Sequence, residues 1–273
     1  MRDSTTVLLA LLGAAGAGAA AYLLRDRPPY LRLLASGLAF GVPWAVHAAT
    51  AKPSCVFLFI TDTHGSATIN QRLVQAMLEE QDVSFVVHGG DIADEPRFWP
   101  VWWDEAFAPV RERWPVYAAS GNHDLESAAN AAEFAERFGD LPTHVRCGNV
   151  EVFILPWGVT RPAAEWLWVA VEASEAPVKI LVIHKPVWPM ADDDARQREL
   201  IRPVLDRINL VLAGHEHASQ DRTVEGVRQI IEISGPKKYA CPAGARGCLA
   251  DSTGYLRVEV YEDSYRVYRR VVP

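Results

Sequence analysis

The chain has only four cysteines in 273 residues, Cys55, Cys147, Cys241 and Cys248, and no two stand in CxxC spacing. That argues against a zinc knuckle built on thiolates. A basic excess is also missing. Beyond residue 51, once Arg2, Arg25, Arg27, Arg32, Asp3 and Asp26 are set aside, 23 Lys+Arg face 32 Asp+Glu, a formal net charge of −9. A broad nucleic-acid surface needs many Lys or Arg facing phosphates, so this domain offers none. There is no internal repeat, no low-complexity linker and no second soluble domain. All four cysteines fall after residue 51, and an even number in an exported domain permits disulfides. Cys241 and Cys248 bracket PAGARG, a loop short enough to close. Cys55 with Cys147 is then the pair left by elimination, and four reduced thiols is the alternative.

Two uncharged stretches precede the domain, VLLALLGAAGAGAAAYLL at 7–24 and LLASGLAFGVPWAVHAATA at 33–51, with Arg25, Arg27 and Arg32 between them. The first has 18 residues, near the minimum for a membrane span. Three readings stay open: a helical hairpin, one span with an interfacial second segment, or a signal segment cleaved after Ala49-Thr50-Ala51. The arginine-rich loop prefers the cytoplasm, which puts the following domain outside it. Residues 1–51 are thus expected to anchor or export the chain, and 52–273 to form the functional domain, membrane-anchored or secreted.

That domain alternates strand and helix. Cys55–Thr61, 84–88 and 116–119 are short apolar runs of the buried-strand type. Helical spacing follows at 69–80, 97–113 and 126–138. Further strands are expected at 144–147, 150–155, 179–183 and 210–213, helices at 162–173 and 195–207, and a closing hairpin at 255–260 and 265–271. Trp99, Trp102, Trp103 and Trp114 read as core; a nucleotide-stacking or partner-docking role is the competing reading.

Five short blocks, each after an apolar run, carry oxygen and nitrogen ligands: Asp62-Thr63-His64, Gly90-Asp91, Gly121-Asn122-His123-Asp124, His184 and Gly214-His215-Glu216-His217. They hold five of the eight histidines. Ligands at strand ends are a common construction, because the sheet fixes the backbone and the loops converge above it. Two divalent ions need about this many donors. His88 reads as a supporting residue, Asp94 as a loop cap or supporting carboxylate, and Glu216 as solvent-facing. Lys237 and Lys238 read either as phosphate contacts or as part of a solvated loop.

The blocks, in this order, resemble the calcineurin-like metallophosphoesterases over roughly residues 55–260. The resemblance implies an α/β, four-layer αββα sandwich of two mixed sheets flanked by helices, here preceded by the N-terminal hydrophobic helices. It implies two divalent ions (Mn, Fe or Zn), one held by Asp62, His64, Asp91 and His217, the other by Asp91, Asn122, His184 and His215. A hydroxide shared by the ions would attack phosphorus in line. His123 would stabilise or protonate the leaving group, with Asp124 bonded to its other ring nitrogen. Purple acid phosphatases carry a tyrosine ligand three residues after the Gly-Asp aspartate, where this chain has Asp94, which argues against their redox-active site. The expected substrate is a phosphomonoester or phosphodiester, with specificity set by loops near 95–105, 186–196 and 236–250. A cyclic-nucleotide phosphodiesterase, a nuclease, a non-catalytic metal-binding scaffold in the envelope and a Trp-docking sensor are the alternatives.

Overall fold

Strand β1, Cys55–Ile60, is buried along its whole length and feeds two different cores. Successive side chains of a strand point to opposite faces. Phe57 and Phe59 therefore pack among Val152, Ile180 and Leu210, while Leu58 and Ile60 pack among Leu73, Met77, Trp99 and Trp102. A fully buried side chain of this size contributes about 1.5–3 kcal/mol. A strand that is apolar on both faces fits only between two covering layers, and that requirement sets the architecture.

The computed structural model describes residues 52–190, 195–250 and 253–272. The apolar stretches at 7–24 and 33–51, with every expectation attached to them, lie outside these residues. Among the described residues no helix is long and apolar enough to cross a membrane.

The first sheet has the order β12-β11-β1-β2-β3, with β2 at Phe85–His88, β3 at Val116–Ala118, β11 at Gly254–Val260 and β12 at Tyr265–Val271. β1, β2 and β3 run parallel, and β11 and β12 add the antiparallel hairpin. The second sheet comprises β4 (Thr143–Cys147), β5 (Val150–Ile154), β6 (Val178–Val182), β7 (Leu210–Ala213), β8 (Ser219–Val224), β9 (Val227–Ile231) and β10 (Cys248–Leu249). Its order is β10-β8-β9-β7-β6-β5-β4, with β5, β6, β7 and β9 parallel. Helices α1 (Ala67–Leu78), α2 (Ala108–Arg113) and α3 (Ala128–Phe138) pack on the outer face of the first sheet. Helices α4 (Arg161–Ala173) and α5 (Ala195–Leu205) pack on the outer face of the second. The result is the expected four-layer αββα sandwich.

Two expectations need correction. The helix expected over 97–113 divides into a π-helix at Trp99–Ala106 and the separate α2. Each piece has a proline in its first turn, Pro100 and Pro109, and proline starts a helix more readily than it continues one. The wide π turn lets Trp99, Trp102 and Trp103 all reach the core, and Trp99 Nε1 donates to Asn130 Oδ1 at 2.6 Å. Trp114 is buried as well, so these indoles give no face for docking a partner. The second correction is the β8–β9 hairpin, absent from the sequence reading. Strand β8, SQDRTV, is polar at all but its last position and so lacks an apolar run, and the turn residues Glu225 and Gly226 both have positive φ, 51° and 85°.

Both disulfides form, Cys55–Cys147 and Cys241–Cys248. The first joins β1 in one sheet to β4 in the other. Its partners are 92 residues apart, and closing a loop of that size stabilises the fold by about 4–5 kcal/mol in the chain-entropy account.

Candidate metal centre

Parallel strands from both sheets deliver the five blocks to one place. Asp62 and His64 follow β1, Asp91 follows β2, Asn122 and His123 follow β3, His184 follows β6, and His215 and His217 follow β7. Backbone bonds then lock the loops together. Asp62 N–H donates to Gly90 C=O at 2.9 Å, His64 N–H to Asp91 C=O at 3.0 Å, and Gly214 N–H to His184 C=O at 3.0 Å.

The backbone is strained where these side chains leave it. Asp62, His64, Asp91, His215 and His217 have φ between 51° and 70°. They are five of the seven non-glycine residues with positive φ among the described residues, so the strain is concentrated at this site. Two glycines make the crowding possible. A Cβ on Gly214 would lie 2.2 Å from Asp62 Oδ2, and one on Gly90, whose φ is +100°, would lie 2.6 Å from His184 Nδ1. No other residue fits at either position.

Ligand atoms of Asp62, His64, Asp91 and His217 lie within 4.8 Å of one another, and so do those of Asp91, His184 and His215. Asp91 belongs to both groups. Asn122 Oδ1 lies 3.0 Å from His215 Nδ1, which puts the amide beside the second group. A third set, His64, Asp94 and His123, overlaps the first. There Asp94 meets His64 Nδ1 at 2.6 Å and Lys237 Nζ at 2.7 Å. Asp94 is thus the supporting carboxylate, holding the Nδ1 proton of His64 and leaving Nε2 as a lone pair turned inward.

The donor set fits divalent cations. His184 gives its Nδ1 proton to Gly89 C=O at 2.8 Å, while its buried Nε2 has no hydrogen-bond partner and faces Asp91 Oδ2 at 3.3 Å. His64 Nε2 and His217 Nε2 face each other at 3.1 Å. Two ring nitrogens that close, beside the Asp62 and Asp91 carboxylates, can share a proton or turn their lone pairs to a common cation. Electrostatics agree. Burial works against a charged His184, yet Asp91 and Asp62 raise it to about 9. Burial likewise opposes ionisation of Asp62 and Asp91, yet His184 above all holds both carboxyls below their usual range. Burial and then His184 lower His215 to about 4, so it is a neutral donor. Carboxylate, imidazole and amide donors suit Mn, Fe or Zn.

His123 belongs to neither of the two groups that share Asp91. Its side chain is 27% exposed, its Nε2 lies 4.0 Å from Asp91 Oδ2, and its Nδ1 meets Glu126 Oε2 at 3.1 Å and Asp94 Oδ1 at 3.5 Å. Asp124 does not orient it, contrary to the expectation. The turn at His123–Leu125 sends consecutive side chains in different directions, and Asp124 goes inward. Its carboxylate accepts the N–H groups of Gly121 at 2.8 Å, Asp91 at 2.8 Å and Ile92 at 2.9 Å, stapling two ligand loops together. Burial, then the charge of Asp91, push its carboxyl up to about 7.

Other side chains complete the surroundings. Burial lowers His88 to about 3, so the ring is neutral. Its Nδ1 accepts Gly90 N–H at 3.2 Å, which leaves Nε2–H to donate to Thr63 Oγ1 at 2.9 Å. Glu216 is not merely solvent-facing, because it accepts Met190 N–H at 3.0 Å. Three neighbours escaped the sequence reading. Glu126 meets His123, Trp157 lies with its ring 5.0 Å from His215, and Tyr239 has its ring 4.5 Å from His217. Only Glu126, three residues beyond a motif histidine in a helical turn, left a sequence signal.

The profile of calcineurin-like phosphoesterases matches residues 55–219. No curated protein matches. Among solved structures, purple acid phosphatase PPD1 from yellow lupin (Lupinus luteus) aligns at TM-score 0.58 and 12% identity, covering 80% of this chain and 51% of that one. GAP50, described as the anchor in the inner membrane complex of Plasmodium, aligns at TM-score 0.62 and 14% identity, covering 81% and 90%. A 5'-nucleotidase precursor from Thermus thermophilus aligns at TM-score 0.50 and 10% identity, covering 80% and 54%. The chain thus spans about half the length of the lupin phosphatase and of the nucleotidase. At these identities the likeness is one of fold. The profile match extends over more than half the chain and includes every ligand block, and on that basis the chain belongs to the calcineurin-like phosphoesterases.

Proposed function

We propose that this chain hydrolyses a phosphomonoester or phosphodiester at a pair of divalent ions. The observation that carries this reading is Asp91, whose carboxylate is shared by two groups of metal-type donors. One ion would be held by Asp62, His64, Asp91 and His217, the other by Asp91, Asn122, His184 and His215. Such ions polarise phosphoryl oxygens and draw a nucleophile from water near neutral pH.

The protein's own groups do the rest. Asp94 and Gly89 C=O hold protons on the outer nitrogens of His64 and His184, so the inner nitrogens remain donors. Glu126 and Asp94 orient His123 from its Nδ1 side, leaving Nε2 turned toward Asp91. From there it can meet the leaving oxygen and stabilise or protonate it. Two disulfides in one domain support residence in an oxidising compartment, in keeping with an N-terminus that anchors or exports the chain.

The anchor role of GAP50 in the inner membrane complex of Plasmodium favours one second reading for this chain, a metal-holding scaffold without turnover. Hydrolysis separates the two. Purified full chain loaded with Mn²⁺ should hydrolyse a chromogenic phosphomonoester or phosphodiester, lose that activity to chelator and regain it on adding Mn²⁺. Full metal occupancy without turnover favours the scaffold, and turnover indifferent to chelator refutes the metal-dependent reading.

A further inference from the structure

Tyr239 lies outside every ligand block, yet its ring stacks on that of His217, with centroids 4.5 Å apart and planes 25° from parallel. The residue is 59% exposed, so the ring is open to solvent beyond its contact with His217. Several constraints keep it there. Tyr239 N–H donates to His217 C=O at 3.0 Å. Two residues on, Cys241 is bonded to Cys248. Cys248 and Leu249 form β10, which pairs with Gln220 and Ser219 of β8, the strand that begins two residues after His217. One strand therefore supports both the ligand loop and the ring beside it, an arrangement that pre-organises a contact.

The same loop brings a cation to the site, because Lys237 reaches Asp94 beside His64 and His123. Near the second ligand group, the half-buried ring of Trp157 lies 5.6 Å from His184 and 5.0 Å from His215. Each group of ligands thus has an aromatic neighbour, and the more exposed of the two is Tyr239. An exposed ring held beside His217 offers a π face to whatever projects from a phosphorus bound between the two groups. Planar rings stack on such a face; alkyl groups gain much less.

We propose that Tyr239 is a specificity-determining residue that stacks the leaving group, so that the site prefers phosphoesters of planar aromatic alcohols or nucleosides over alkyl esters. This rests on the phosphoesterase reading above. The test uses two non-hydrolysable probes, phenylphosphonate and methylphosphonate, titrated calorimetrically into Mn²⁺-loaded full chain. Hydrolysis of phenyl phosphate is measured on the same samples. Tyr239→Ala should weaken phenylphosphonate binding by about tenfold and leave methylphosphonate binding unchanged, while Tyr239→Phe keeps the preference for the phenyl probe. Parallel weakening of both probes would show that the ring only positions His217, and would overturn the proposal. A phenyl preference that survives Tyr239→Ala overturns it too. Phenyl-selective binding that depends on the ring, without any hydrolysis by wild type, would uphold the stack and refute the hydrolytic reading alone.

Discussion

Asp91→Asn is expected to reduce turnover of a chromogenic phosphodiester at least ~1,000-fold and to leave the chain unable to hold two divalent ions. Asparagine has nearly the same shape, so the strained turn at φ 54° and the bond from His123 N–H to Oδ1 at 2.9 Å can persist. The change removes charge. A carboxylate shared by two cations offsets their mutual repulsion, whereas an amide offers one neutral oxygen and no compensation. Coulomb repulsion between two dications a few ångströms apart is large even at an effective dielectric of about 20. Elemental analysis after desalting checks the metal content, and far-UV circular dichroism checks that the fold is intact. Unchanged turnover with full metal content would mean that Asp91 is not the shared ligand.

His123→Ala should lower turnover by about 100- to 10,000-fold, the range for a positioned acid or charge-stabilising group, with metal content unaltered. The split follows from geometry. His123 Nε2 lies 4.0 Å from Asp91 Oδ2 and on the solvent side, whereas His64, His184 and His217 are buried among the carboxylates. Removing His123 therefore opens the site without dismantling it. The effect should be greater on an alkyl ester than on a nitrophenyl ester, because a poorer leaving group needs more help. Parallel loss of metal would instead place His123 among the ligands, and unchanged turnover would refute its role.

Much of this was legible in the sequence because strand ends carry the chemistry. The run CVFLFIT announces a strand buried on both faces, and the ligand residues stand directly beyond it; the same is true of SFVVH before Gly89-Gly90-Asp91 and KILVI before His184. Strand–helix alternation then gives the layers. Side-chain direction within a tight turn was not legible. His123 and Asp124 are neighbours in sequence, yet one faces solvent and the other staples backbone N–H groups beneath the site. Long-range juxtaposition was also hidden. Lys237 meets Asp94, and Tyr239 meets His217, only because a polar hairpin and a two-residue strand return the chain to the site. The polar β8 strand gives no apolar periodicity; the sequence points to 236–250 as a loop bordering the site, but not to the contacts of Lys237 with Asp94 and Tyr239 with His217.

The central claim, a pair of ions astride one aspartate, is tested most directly by anomalous scattering from crystals of the protein grown with Mn²⁺. Two peaks ~3.5–4 Å apart, one on each side of the Asp91 carboxylate, are the predicted result. A single peak in contact with only one ligand group, or none at Asp91, would contradict it.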